Sequence, residues 1–220
     1  MNIAIDGPAG AGKSTIAKKL AKKLGFIYVD TGAMYRAMGL YFLENGIEAC
    51  QEEKITSACE KIEISIRYEN GEQQVLLNGK NVSADIRREE VGNMASATSI
   101  YPKVREKLVA LQKSMAFTSD VIMDGRDIGT CVLPRAELKI YLTASTATRA
   151  KRRYDELTKK GMPCDLTEIE REIEDRDYRD MHRELSPLKQ AEDAVLVDSS
   201  DMGIEEVVEY IHKLYQERLS

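Results

Sequence analysis

Several ingredients that would steer this chain toward particular chemistries are missing. Four cysteines in 220 residues, Cys50, Cys59, Cys131 and Cys164, stand far apart without any C-x-x-C pair. That excludes a zinc knuckle and a redox dithiol, and reduced structural thiols are the expectation. The two histidines, His182 and His212, have no metal-ligand spacing. No apolar run approaches bilayer-crossing length, and no basic n-region followed by an apolar h-region comes after Met1; a cytoplasmic protein with no membrane partner is expected. Cations are not in excess: 32 Lys and Arg against 37 Asp and Glu leave a formal charge of −5. This argues against broad binding of nucleic acid or anionic membrane, while local arginine clusters can still grip a small anion. Internal repeats and low-complexity tracts are absent.

What is present begins with an ordinary globular composition, 43% hydrophobic and 31% charged, in a chain long enough for a sizeable core. The length suits one domain with insertions. Its organising stretch is Gly7-Pro8-Ala9-Gly10-Ala11-Gly12-Lys13-Ser14-Thr15, a complete G-x-x-x-x-G-K-[ST] phosphate loop. It follows the apolar run Asn2 to Asp6 and opens a helix from Lys13 to Leu24 that Gly25 stops. Glycines there let consecutive N–H groups face one anion, the helix N-terminus adds its positive end, Lys13 reaches the outer phosphates and Ser14 can hold Mg²⁺. The reading is a nucleoside-triphosphate site.

Further along, Phe26 to Asp30 is a second short strand, leading through Thr31-Gly32 into a helix to Glu44. Such strand–loop–helix units imply a parallel sheet covered by helices. From Ile62 to Val82 the pattern alternates, with Asn70-Gly71 and Asn78-Gly79 as hairpin turns, and an antiparallel insertion is expected. Helices are expected over roughly 87–99 and 102–117. Val121 to Asp124, Leu138 to Leu142 and Ala194 to Asp198 complete five strands, and a helix from Ile204 to about Leu219 closes the chain. The charged stretch 159–189, with Lys160-Gly161-Met162-Pro163 as a hinge, reads as a flap.

Phosphoryl transfer between nucleotides asks the protein for alignment, charge neutralisation and exclusion of water. Asp124 ends an apolar strand and can hold Mg²⁺ through water; a capping or turn-forming Asp is the alternative. Arg126 and Asp127 offer a phosphate grip and a carboxylate for a base, or else a mutual surface pair. Arg149 and Arg153 lie four apart on one helix and can aim at a single anion, or simply form a solvated face.

Taken together, residues 7–15, Asp30-Thr31-Gly32-Ala33-Met34-Tyr35-Arg36, Asp124-Gly125-Arg126-Asp127-Ile128-Gly129-Thr130 and Arg176-Asp177-Tyr178-Arg179-Asp180 resemble bacterial cytidylate kinases over essentially the whole chain. The resemblance implies an α/β fold: three layers, a five-stranded parallel sheet with helices on both faces, a small antiparallel insertion in the monophosphate-binding region and a helical lid. It is expected as a single P-loop kinase domain, 1–220, with a core of about 1–45, 118–148 and 190–220, an insertion of about 46–117 and a lid of about 149–189. The implied reaction is ATP + (d)CMP = ADP + (d)CDP, with ATP as co-substrate and Mg²⁺ as cofactor, in a monomer.

By the same resemblance Thr31, Ser96, Arg105 and Asp127 address cytosine, while Arg176 and Asp180 reach the sugar and Arg183 closes over the nucleotide. Arg36 and Arg126 take the acceptor phosphate beside Tyr35. Lys13, Asp124, Arg126, Arg149 and Arg153 form the catalytic set, and Ser14 and Asp124 attend the metal. Thr31 stands where serine is common in the family and Ser14 where some relatives have glycine, so both positions keep or gain a hydroxyl. Competing readings are a P-loop kinase for another small molecule, and a nucleotide-dependent switch. The latter is disfavoured because the N-K-x-D loop of guanine-specific switches does not occur.

Overall fold

A computed structural model describes residues 1–219. In chain order these form β1 (Asn2–Asp6), α1 (Lys13–Leu24), β2 (Ile27–Asp30), α2 (Thr31–Glu44), α3 (Glu52–Lys61), β3 (Ile64–Glu69), β4 (Glu72–Leu77), β5 (Lys80–Asn81), α4 (Glu89–Thr98), α5 (Pro102–Thr118), β6 (Val121–Gly125), β7 (Leu138–Thr143), α6 (Thr146–Lys159), α7 (Leu166–His182), β8 (Val195–Asp198) and α8 (Ile204–Leu219). The chain divides into two compact units, one of Met1–Tyr28 with the chain from Ser119 onward, the other Val29–Thr118.

The first unit is built on a sheet of strand order β2-β6-β1-β7-β8, to which β2 brings Ile27 and Tyr28 within this unit. β1 pairs in parallel with β6 on one side and β7 on the other, and β7 pairs in parallel with β8. Their near-continuous aliphatic sequences suit strands covered by helices. Ile3 and Ile5 of β1, Ile140 and Leu142 of β7 and Ile122 of β6 meet Ile16, Ala17 and Leu20 of α1 and Val207, Val208 and Ile211 of α8 in one core. Leu20 is completely buried there, so truncation to alanine would cost about 2–5 kcal/mol. The order places β1, with the phosphate loop at its carboxyl end, at the centre, where ligands bind in such sheets. A smaller cluster of Ala150, Ile169 and Ile173 with Tyr154, Leu157 and Cys164 joins α6 to α7.

The second unit carries the antiparallel sheet β3-β4-β5. Its turns are the two Asn-Gly pairs, with Asn70 at φ 54° and Gly71 at 79°, and Asn78 at 48° and Gly79 at 81°, which are the residues that tolerate this conformation. Gln73 of β4 accepts the Asp30 N–H at 2.8 Å and donates back to the Asp30 carbonyl at 3.2 Å. Helix α2 lies against α4 at Gly39, where an added Cβ would come within 3.0 Å of the Ala95 nitrogen and the Val91 carbonyl oxygen; only glycine permits that approach. The α/β class, the five parallel-sheet strands and the antiparallel insertion match expectation. Helix α3 and a π-type turn over Ile128–Val132 were not anticipated.

Candidate active site

Between β1 and α1 the chain turns through Gly7 (φ 149°), Gly10 (77°) and Gly12 (88°). A Cβ on Gly7 would fall 1.9 Å from the Leu142 carbonyl oxygen, so the loop starts where β7 leaves no room for a side chain. Gly12 precedes α1 with no side-chain cap, leaving the first N–H groups of the helix to serve an anion. Lys13, only 6% exposed, folds back to donate to the Pro8 carbonyl at 2.8 Å. Burial, then the neighbouring Arg126 and Arg176, lower its pKa from 10.5 to about 7 against the pull of Asp124 and Asp6.

Next to the loop lies the end of β6. Asp124 Oδ2 accepts from Ser14 Oγ at 2.9 Å and Oδ1 from Tyr28 Oη at 2.8 Å. Because Ser14 donates its proton to the carboxylate, its oxygen lone pairs remain available to a hard cation. A single hydroxyl and a single carboxylate suit Mg²⁺ held mostly by phosphates and water. Arg126 Nε donates to Asp180 Oδ2 at 2.8 Å in a pair whose side chains are 19% and 8% exposed. Burial works against the guanidinium's charge, but Asp180 outweighs it and the arginine pKa rises. Burial likewise opposes ionisation of Asp180, and Arg126, Arg176 and Arg183 overcome it and hold the carboxyl below its usual range. Asp127, 5% exposed, lies 3.7 Å from Arg183 Nη2.

Of the two arginines expected on α6, Arg149 is buried over the phosphate loop. It donates to the Ala9 carbonyl at 2.9 Å and the Ala144 carbonyl at 2.9 Å and pairs with Asp177 Oδ2 at 2.7 Å. Its Cβ also packs against Gly10, where an added methyl would come within 3.3 Å. Arg153 is exposed in this structure and bound to Glu156 at 3.1 Å. The first unit therefore brings Lys13, Ser14, Asp124, Arg126, Asp127, Arg149, Arg176, Asp180 and Arg183 into one electrostatic neighbourhood, and Arg153 stands outside it.

Within the second unit, Asp30 caps α2 by accepting from the Ala33 N–H at 2.9 Å. Thr31 is buried at the start of that helix, and Tyr35 one turn later lies under the guanidinium of buried Arg105, 6.0 Å from ring centre to carbon. Arg36 faces Gly92 of α4, within 3.8 Å of where a Cβ would be. Ser96 follows Gly92 by one turn on that helix. The five predicted residues of this unit thus occupy neighbouring turns of α2, α4 and α5.

Three participants were not singled out from sequence. Asp6 is the last residue of β1 and Asp124 the last but one of β6, and the same signal of an acid at the end of an apolar strand marks both. Asp177 is hidden among the many charges of α7, and only its partner Arg149 distinguishes it. Tyr28 has no sequence signal, since its role is a hydroxyl contact to Asp124 across β2 and β6.

A glycine-built loop on the central strand, its lysine and its serine–aspartate contact place the protein in the class of P-loop phosphotransferases. A solved shikimate kinase from Bacteroides thetaiotaomicron has the same fold at 13% identity and a TM-score of 0.50, covering 98% of each chain. An uncharacterised Eubacterium ventriosum protein gives 0.54 at 12% identity, covering 97% of each. Residues 3–217 match the family model described as cytidylate kinase. Cytidylate kinases from Lactobacillus johnsonii and Caldicellulosiruptor saccharolyticus are 51% and 53% identical over 99% and 98% of this chain and 95% of each relative. That of Streptococcus pneumoniae strain 70585 is 50% identical over 100% and 99%. The chain belongs to the cytidylate kinase family.

Proposed function

We propose that the protein transfers the terminal phosphoryl group of ATP to CMP and dCMP, giving ADP and the cytidine diphosphates. Family membership over nearly the full length supports the reaction. The observation that carries the assignment to particular residues is the adjacency of half-buried Arg126 and buried Asp127 directly after β6, beside the β1 phosphate loop.

In this reading residues 7–15 bind the donor phosphates through backbone N–H groups, with Lys13 leaving Pro8 for the outer phosphates. Ser14, whose hydroxyl donates to Asp124, would hold Mg²⁺ with Asp124 behind it, and the ion would supply charge neutralisation on the phosphates. Arg126 takes the acceptor phosphate together with Arg36, and Tyr35 lines that pocket. Asp127 accepts from the cytosine amine while Arg105 and Ser96 donate to the ring nitrogen and carbonyl, and Thr31 adds a hydroxyl. Uracil reverses donor and acceptor at the first two of these atoms. Arg176 and Asp180 reach the sugar, and Arg183 closes over the nucleotide. Arg149 and Arg153 supply cationic charge to the migrating group, Arg153 by exchanging Glu156 for it. No general base is required, because the acceptor phosphate is already ionised near neutral pH.

The expected division into a core of about 1–45, 118–148 and 190–220, an acceptor insertion of about 46–117 and a lid of about 149–189 belongs to the same proposal. So do a monomeric state and a cytoplasmic location; no helix among the described residues is long and apolar enough to cross a membrane. Calorimetric titration tests the base assignment. Asp127→Ala should weaken CMP binding by about a hundredfold or more while ATP binding is retained, and equal loss of both would make Asp127 merely structural.

A further inference from the structure

We infer that Asp6 is a positioning residue for cytosine selectivity, presenting Asp127 in one direction by gripping the two peptide N–H groups that follow it. This rests on the reading of Asp127 as the base-contacting carboxylate.

Asp6 is the last residue of β1 and only 5% exposed. Its Oδ1 accepts the Ile128 N–H and its Oδ2 the Gly129 N–H, both at 2.7 Å. Those are the first N–H groups of the π-type turn Ile128–Val132, which, like the first donors of any helix, have no acceptor within the turn. A carboxylate there satisfies both with charge-assisted bonds. The Asp127 carbonyl is fixed in turn by the N–H groups of Cys131 at 2.8 Å and Val132 at 3.2 Å. Packing is tight around the grip: a Cβ on Gly129 would lie 3.3 Å from Asp6 Oδ2 and 3.2 Å from Lys139 Cδ.

The β1–β6 ladder ends at the pairing of Asp6 with Gly125. One residue therefore holds the β6 loop twice, by strand register at Gly125 and by side chain at 128 and 129. The two residues left between these anchors are Arg126 and Asp127, those assigned to acceptor phosphate and base. Since Asp6 is followed directly by Gly7, the base-contacting loop is tied to the first residue of the phosphate loop.

Asp6→Asn keeps the shape and one acceptor but turns an amide NH₂ toward one of the two N–H donors. It should raise the KM for CMP about tenfold and lower the CMP-to-UMP ratio of kcat/KM at least about fivefold, a change of selectivity that the loss of Asp6's pull on Lys13, common to both acceptors, would not produce. In an Asp127→Asn background the same change should leave the ratio where Asp127→Asn alone sets it, because both act through one element. Gly129→Ala, a milder push on the same grip, should also lower the ratio, and serves if Asp6→Asn does not fold. An unchanged ratio in Asp6→Asn and Gly129→Ala, an equal further drop in the Asp127→Asn background, or a loss confined to ATP would each overturn the inference. If Asp127→Asn by itself leaves the ratio unaltered, the base-contact reading fails, and the role of Asp6 falls with it.

Discussion

Ser14 Oγ donates to Asp124 Oδ2 at 2.9 Å, joining the phosphate loop to the end of the neighbouring strand. The bond orients the hydroxyl so that its lone pairs point away from the carboxylate, as the proposed role of Ser14 in holding Mg²⁺ would require. Groups that orient metal ligands typically contribute 10- to 100-fold in affinity. Ser14→Ala and Asp124→Asn should therefore each raise the Mg²⁺ concentration for half-maximal activity by about tenfold or more, with CMP binding unaltered. Initial rates across a Mg²⁺ series check this.

Lys13 has a pKa near 7 because it is buried among arginines. An ATP polyanion needs the protonated form, so kcat/KM for ATP should fall as pH rises above about 7. The stability effect has the opposite sign. Between pH 7 and 10.5 the unfolded chain holds a proton on Lys13 that the folded one has released. Stability from this group therefore rises with pH across that window, and the cost of burying the ammonium is complete below it. Lys13→Met should melt higher than the parent at pH 6.5 by about 2–4 °C per kcal/mol regained, converge with it toward pH 10, and lose turnover. Scanning calorimetry at both pH values reads the difference.

Removing one partner of the Arg126–Asp180 pair leaves a buried charge unmatched. Asp180→Asn should cost about 3–5 kcal/mol of stability, whereas the double replacement Arg126→Met, Asp180→Leu should recover much of it while remaining inactive. Urea unfolding of the parent and these two variants separates the structural contribution of the pair from its role with the acceptor.

Gly7 is the most tightly enclosed glycine of the phosphate loop, with 1.9 Å between a hypothetical Cβ and the Leu142 carbonyl. Gly7→Ala should displace β7 or the loop, and circular dichroism with ATP titration should show a destabilised chain without measurable donor binding. Gly12→Ala, which meets no atom within 4 Å and carries only the penalty of a positive φ, should be milder in stability.

How far the residues disclosed this arrangement depends on the range of the interactions. The phosphate loop, the five strands and the Asn-Gly hairpins are local patterns, and each appears where its spacing puts it. The π-type turn after Asp127 is not local in origin, since its first donors are satisfied by Asp6, more than a hundred residues earlier in the chain. Arg149 and Arg153 look equivalent on a helical wheel, yet burial against Ala9 and Asp177 separates Arg149 from its exposed neighbour. Periodicity marks a face of α6; it does not say which part of that face meets the loop.

The central claim is that this cradle and its arginines serve cytidine monophosphates. ADP formation measured with CMP, dCMP, UMP, AMP and shikimate under one set of conditions tests it most directly. Both cytidine nucleotides should exceed the other acceptors in kcat/KM by about a hundredfold or more. A preference for UMP, AMP or shikimate, or equal use of CMP and UMP, would contradict it.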